Sequence, residues 1–175
     1  MTETSFSGRI GLFQKMKTVV QRVYNASVTV DGVLKGRINS GLLVYLGVAL
    51  DDTEKDADWL AEKIANLRIF EDNDGKMNVS LLELVNQDNI KVNIGDKPIG
   101  ILVISQFTLL GDAHKGRRPS WGRAAPPEKA KELYEYFMGK IREQGLVCES
   151  GEFQAHMKVT YTNDGPVTVL LDSRE

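Results

Sequence analysis

Residues Lys17–Leu50, KTVVQRVYNASVTVDGVLKGRINSGLLVYLGVAL, carry the pattern on which the fold turns. Val19, Val20, Val23, Val28 and Val30 supply β-branched residues at strand-like spacing, so Lys17 to Val30 reads as a strand. Asp31-Gly32 is a two-residue hairpin signal, and Val33 to Ile38 is the returning strand. Asn39-Ser40-Gly41 reads as the next turn. Gly41 to Leu50 is then a near-continuous apolar run, which needs cover on both faces and so belongs in the centre of a sheet.

Downstream, Asp51-Asp52-Thr53 predicts a cap for a helix from about Glu54 to Asn66. Trp59, Leu60, Ile64 and Leu67 form its apolar face, and Glu54, Asp56 and Asp58 lie at its N-terminal end. Arg68-Ile69-Phe70 reads as a short strand and Asp72-Asn73-Asp74-Gly75 as a turn. That acidic turn lacks the alternating ligands and the later Glu of a calcium loop. Leu81, Leu82, Leu84 and Val85 suggest one or two helical turns, and Ile90 to Ile94 a strand. Ile99 to Leu110 is a second buried strand whose distal end turns polar. Gly111 to Ala125 is a long basic loop, a kind of segment that is often functional. Pro126-Pro127 with Glu128 opens a second helix, faced by Ala130, Leu133, Tyr134, Phe137, Met138 and Ile141 and ended by Gly145. Val147 to Phe153 links it to two last strands, Met157 to Thr162 and Val169 to Leu171, separated by a turn at Asn163-Asp164-Gly165-Pro166. The order of elements predicts one α+β domain, with a mixed, largely antiparallel sheet and two main helices.

Residues 1–15 have no sustained period and no continuous apolar segment of the signal-peptide kind, so they are expected to be a flexible extension, with the domain spanning 16–175. An upstream start codon would also account for them. The chain has 175 residues and a formal net charge of -2, which excludes a surface that attracts nucleic acid as a whole. Cys148 is the only cysteine and His114 and His156 the only histidines, which argues against a disulfide or a Cys- or His-rich metal site. No apolar run is long enough to span a bilayer. A cytoplasmic protein without metal or cofactor is expected.

The nucleophile elbow, the phosphate loop, the dinucleotide fingerprint and the His-Glu-x-x-His pair are all absent. Ser105-Gln106-Phe107-Thr108 is the strongest candidate for chemistry, because small polar groups at the end of an apolar strand are where a sheet exposes a site. A strand break there would free the N–H groups of Phe107 and Thr108 to stabilise an oxyanion. Thr108 is a candidate nucleophile with no base evident beside it, and an edge strand with satisfied hydroxyls is the competing reading. In the basic loop, Lys115, Arg117, Arg118 and Arg123 surround Trp121, a composition suited to phosphates and a stacked base, with a solvated loop as the alternative. Gly165-Pro166 can present bare carbonyls, and its peptide bond is of the kind that can be cis.

Together, Ser105-Gln106-Phe107-Thr108-Leu109 and Asn163-Asp164-Gly165-Pro166-Val167-Thr168 resemble the two signature motifs of the D-aminoacyl-tRNA deacylases. Met16 to Val23 (MKTVVQRV), Arg118-Pro119-Ser120, Ala125-Pro126-Pro127 and His156-Met157 fit the same pattern in the same order, and the resemblance runs from about Met16 to Ser173. It implies that family's fold and a homodimeric hydrolase that cleaves the ester between a D-amino acid and the 3′ end of tRNA, and that acts on some glycyl-tRNAs. The implied partners are a second copy of the chain and the aminoacyl-tRNA, with no DNA and no membrane. By similarity, Ser105, Gln106, Phe107 and Thr108 line the pocket for the terminal adenosine and scissile carbonyl. Gly165 and Pro166, joined by a cis bond and reaching into the partner's site, exclude L-amino acids, with Arg22 and Asn163 in support. The stretch from about Leu81 to Pro98 is longer than that pattern has and is expected to be a surface insertion. A dimeric RNA-binding module that kept the fold and lost catalysis is the competing function.

Overall fold

A computed structural model describes residues 15–86, 99–114 and 116–173. Asp31 and Gly32 both have positive φ, 50° and 78°, which is what a tight turn between two right-twisted strands requires. They join β1 (Lys17–Val30) to β2 (Val33–Gly47) in a long antiparallel hairpin. Contrary to the sequence reading, Asn39-Ser40-Gly41 is not a turn. β2 runs straight through it, and the glycine serves close packing instead. A Cβ on Gly41 would lie 1.9 Å from the Gly100 carbonyl oxygen of the neighbouring strand.

The sheet has the order β6-β5-β2-β1-β7. β5 (Ile99–Ser105) runs parallel to β2, and β6 (Val147–Ser150) runs parallel to β5. β7 (Met157–Asp172) is antiparallel to β1 along its whole length. The sheet is therefore mixed, with the two longest ladders antiparallel. Two features of this arrangement differ from the sequence reading. The link from Val147 contributes a strand of its own, and the predicted final pair of strands is one continuous strand.

The two parallel connections carry α1 (Glu54–Ala65) and α3 (Pro127–Glu143) across the sheet. Thr53 caps α1 through a reciprocal exchange with Asp56, satisfying two N–H groups of its first turn. Ser173 Oγ donates to Asp56 Oδ1 at 2.8 Å, tying the end of β7 to the same cap. Leu60 and Ile64 of α1 and Phe137 and Ile141 of α3 pack with Leu42, Val44, Ile101 and Val103 in the main core. Trp59, expected on that face, is 41% exposed. The alternate residues Leu43, Leu102 and Ile104 form a second cluster with Val23, Val28 and Ile38 on the opposite face. Burial on both faces explains why β2 and β5 read as unbroken apolar runs.

A small ribbon, β3 (Phe70–Glu71) and β4 (Met77–Val79), flanks the sheet. Its turn is held by Asp72 Oδ1, which accepts from the N–H groups of Asp74 and Lys76. Leu81 opens the short helix α2 (Leu81–Asn86) and is fully buried in the main core. The stretch read as a surface insertion thus starts from a core anchor. Its predicted strand, Ile90 to Ile94, lies outside the described residues.

Candidate active site

β5 stops at Ser105 rather than running on to Leu110. Gln106 N–H still donates to the Leu46 carbonyl at 2.8 Å, the last sheet bond. The chain then turns into a single 3-10 turn, Phe107–Leu110, whose first bond runs from Leu109 N–H to the Gln106 carbonyl. Gly47 makes this possible, since a Cβ there would lie 2.8 Å from the Gln106 carbonyl oxygen and 3.2 Å from Leu109 Cβ. Buried Leu110 anchors the far end. The N–H groups of Phe107 and Thr108 precede the first bond of the turn, and such groups are the donors that a helical turn leaves without intrahelical partners.

A cavity of about 540 Å³ opens at this break, a size typical of small-molecule sites. Ser105, Gln106 and Phe107 form one wall, Ala125 and Pro127 at the start of α3 another, and His156 part of a third. Thr108 does not line it. Its Oγ1 accepts a hydrogen bond from Gln106 Nε2. The two polar side chains thus meet across the turn. Val48 and Phe153 to Ala155 also line it and carried no signal as site residues in the sequence, because they converge only through tertiary packing.

The second motif is a large bulge in edge strand β7. Gln21 pairs with Thr168 and Val23 with Asn163, so the four residues 164–167 stand opposite Arg22 alone. Asn163 closes the bulge at its neck. Its Nδ2 donates to the carbonyls of Arg22 and Val167, both at 3.0 Å, while its Oδ1 accepts from Gln21 Nε2 at 3.0 Å. Arg22, only 8% exposed, fills the space beneath. Its guanidinium donates from Nη1 to the Ile69 carbonyl at 2.7 Å and sets Nε 2.8 Å from Asp164 Oδ2. Tyr24 donates its hydroxyl to Asp164 Oδ1 at 3.0 Å. That bond, with the carboxylate charge behind it, raises the tyrosine pKa above its ordinary value against the opposing pull of Arg22. Tyr24 and Asp164 were not foreseen as partners, because they meet only through strand pairing.

Gly165 has φ +115°, and its peptide bond to Pro166 is cis. Both residues are exposed and neither lines the cavity. The two motifs therefore lie apart within one chain.

The basic loop is folded on itself. Asp112 and Ser120 exchange two backbone hydrogen bonds, each 2.9 Å, and Asp112 Oδ2 holds Arg123 Nη2 at 2.9 Å. Arg123 is thereby committed to an internal ion pair. Arg117 and Arg118 are exposed, and Lys115 lies outside the described residues. Among the described residues, no cluster of three or more His, Cys, Asp or Glu side chains could hold a metal ion, and no helix is long and apolar enough to cross a membrane.

The model of the family described as D-Tyr-tRNA(Tyr) deacylase matches residues 19–172. The chain belongs to the D-aminoacyl-tRNA deacylases. It is 58% identical to the D-aminoacyl-tRNA deacylase of Kosmotoga olearia, covering 91% of this chain and 99% of the relative. It is 52% identical to the one of Thermotoga petrophila, with 90% and 97% covered. Among solved structures it resembles the c-Myc DNA Unwinding Element Binding Protein at 39% identity and a TM-score of 0.76, over 89% of this chain and 97% of the other. A probable eukaryotic D-amino acid tRNA deacylase shares the fold at 18% identity and a TM-score of 0.73, over 91% of this chain and 100% of the other. The deacylases are enzymes, and the family model spans both the strand break at Ser105 and the Gly165-Pro166 bulge.

Proposed function

We propose that this protein is a homodimeric cytoplasmic hydrolase that cleaves the ester of D-aminoacyl-tRNA, and of some glycyl-tRNA, and rejects L-aminoacyl-tRNA. The observation that carries the reading is the separation of the two motifs. One motif forms a cavity wall where β5 breaks, with the N–H groups of Phe107 and Thr108 ahead of the first bond of the 3-10 turn, and the other is an exposed, braced Gly165-Pro166 bulge that does not line that cavity. In a dimer the bulge of one protomer fills the mouth of the other's cavity.

Ser105, Gln106 and Phe107 receive the terminal adenosine and the ester carbonyl. The N–H groups of Phe107 and Thr108 stabilise the oxyanion, charge that develops only as the ester is attacked. An aminoacyl ester is already activated, so oriented donors and the substrate's own 2′-hydroxyl suffice without a protein nucleophile. The Gly165-Pro166 backbone occupies the space that an L side chain would need and leaves the D side chain unread. Such a filter serves many amino acids at once. It also exceeds the roughly 1–3 kcal/mol that a missing methylene provides in an apolar pocket. Arg117 and Arg118, with Lys115, meet the RNA backbone, and Arg123 shapes the loop that carries them.

Incubation with matched D- and L-aminoacyl-tRNA tests the reading. The expected result is release of the D-amino acid alone, with sedimentation giving twice the chain mass. Binding of tRNA without release would favour the competing reading, a dimeric RNA-binding module that kept the fold and lost catalysis.

A further inference from the structure

Phe107 and Trp121 form an aromatic pair at the rim of the cavity, with ring centroids 5.3 Å apart and planes at 74°. Edge-to-face contacts of this kind ordinarily help to bury both rings. Here neither is buried, since Phe107 is 56% exposed and Trp121 42%. Phe107 also lines the cavity, whereas Trp121 stands outside it. The pair thus continues the site outward by one ring.

Trp121 is also held in place. It follows Ser120, which pairs with Asp112, and its carbonyl accepts from Ala124 N–H at 3.0 Å. Its ring lies against the backbone of Gly111, where a Cβ would come within 2.6 Å of Cζ3. A glycine is therefore needed beneath the ring. A rigid ring loses little conformational entropy when a ligand covers it. The exposed cations Arg117 and Arg118 lie on the same loop, beyond the Asp112–Ser120 pair.

We propose that Phe107 and Trp121 are a stacking platform for the unpaired base that precedes the terminal adenosine of the RNA 3′ end. The proposal rests on the deacylase reading, which puts the terminal nucleoside in the cavity and so carries the next nucleotide over this rim. Every base offers a π-face, so such a platform holds the strand without reading its sequence. The neighbouring arginines favour a polyanion over an apolar peptide as the occupant, because they can take its phosphates.

The test pairs Trp121→Ala with a D-aminoacyl-tRNA that is abasic at the penultimate position. Each change alone is expected to raise KM about tenfold, the effect of losing one stacked base. Combined, they should cost no more than either alone, and Trp121→Phe should restore most of the affinity for intact RNA. Independent, multiplying penalties, or no penalty from either change, would overturn the platform. Absence of release from intact D-aminoacyl-tRNA would instead overturn the hydrolase reading. A binding assay without turnover then decides the platform. In a Trp59→Phe background, where Trp121 is the sole tryptophan, the trinucleotide CCA should quench fluorescence and the same oligomer abasic at its central position should not. Equal quenching by both would sink the proposal. So would a sedimentation change in Trp121→Ala with RNA affinity intact, because the ring would then be covering a second copy of the chain.

Discussion

Arg22 Nε lies 2.8 Å from Asp164 Oδ2, joining a guanidinium that is nine-tenths buried to a carboxylate that is 30% exposed. The ion pair crosses from the first strand of the domain to a bulge in the last. It gives the bulge a floor that solvent does not reach. The Ile69 carbonyl and the Glu71 carboxylate, 3.9 Å away, complete the guanidinium's surroundings.

Replacing Arg22 by Met keeps the stem and removes the head, leaving the Ile69 carbonyl and Asp164 without their partner. The expected cost is about 2 kcal/mol, below the range for fully buried pairs because water reaches Asp164. Urea unfolding at constant m-value measures it. D/L discrimination should fall alongside, since the bulge loses its floor. Stability loss with undiminished discrimination would show that Arg22 serves the fold alone.

Two glycines separate fold from site. A Cβ on Gly41 would meet the Gly100 carbonyl oxygen at 1.9 Å, backbone against backbone in the centre of the sheet. Gly41→Ala is therefore expected to prevent folding to a soluble protein. At Gly165 the Cβ would meet Val167 Cγ2 at 2.7 Å, Val167 N at 2.8 Å and Arg22 Nη2 at 3.3 Å, with φ at +115°. The strain is confined to an exposed bulge, so Gly165→Ala should fold with a loss of about 1–3 kcal/mol. Thermal melts of the two variants, with D- and L-aminoacyl-tRNA assays of the second, check both statements.

Where local chemistry decides an element, the sequence was readable. Asp31-Gly32 takes its turn because both residues accept positive φ, and Thr53 with Asp56 caps α1 within one turn of chain. Gly41 and Asn163-Asp164-Gly165-Pro166 misled because turns, bulges and close approaches draw on the same residue types. What makes Asn163 the neck of a bulge is Arg22, 141 residues away. The core of the site was visible as a polar end to an apolar strand, though its change from strand to 3-10 turn depends on Gly47 of the neighbouring strand. Arg123 read as a free cation until the loop closed and gave it Asp112.

Cys148, on β6 and 7% exposed, gives the fold a distinct alkaline response. Burial pushes its thiol from 9.0 up to about 11, with Arg142 opposing in part. The folded state therefore holds its proton more tightly than the unfolded chain. The resulting stability is complete below about pH 9 and is lost as pH rises toward 11, about 2 kcal/mol across the window. Denaturant unfolding from pH 8 to 11 should show this decline, and Cys148→Ala should flatten part of it. At pH 8 a thiol reagent should label the native protein far more slowly than the unfolded chain.

Thr108 decides whether the protein supplies the nucleophile or water attacks the ester with the RNA's 2′-hydroxyl assisting. A hydroxyl acts as a nucleophile only when a neighbouring base takes its proton. Thr108 Oγ1 instead accepts from Gln106 Nε2, an amide that cannot act as a base, and the residue stands outside the cavity wall. Thr108→Ala keeps its backbone N–H, which is the group placed at the strand break. Its kcat on D-aminoacyl-tRNA should stay within about threefold of the parent, because no interaction specific to the transition state is lost. Substrate ending in 2′-deoxyadenosine should lower kcat by about a hundredfold or more, the scale of removing a positioned proton-transfer group. Single-turnover kinetics on both substrates separate chemistry from release of product. A hundredfold fall in Thr108→Ala with no effect of the 2′-deoxy substitution would make Thr108 the nucleophile in place of an RNA-assisted water.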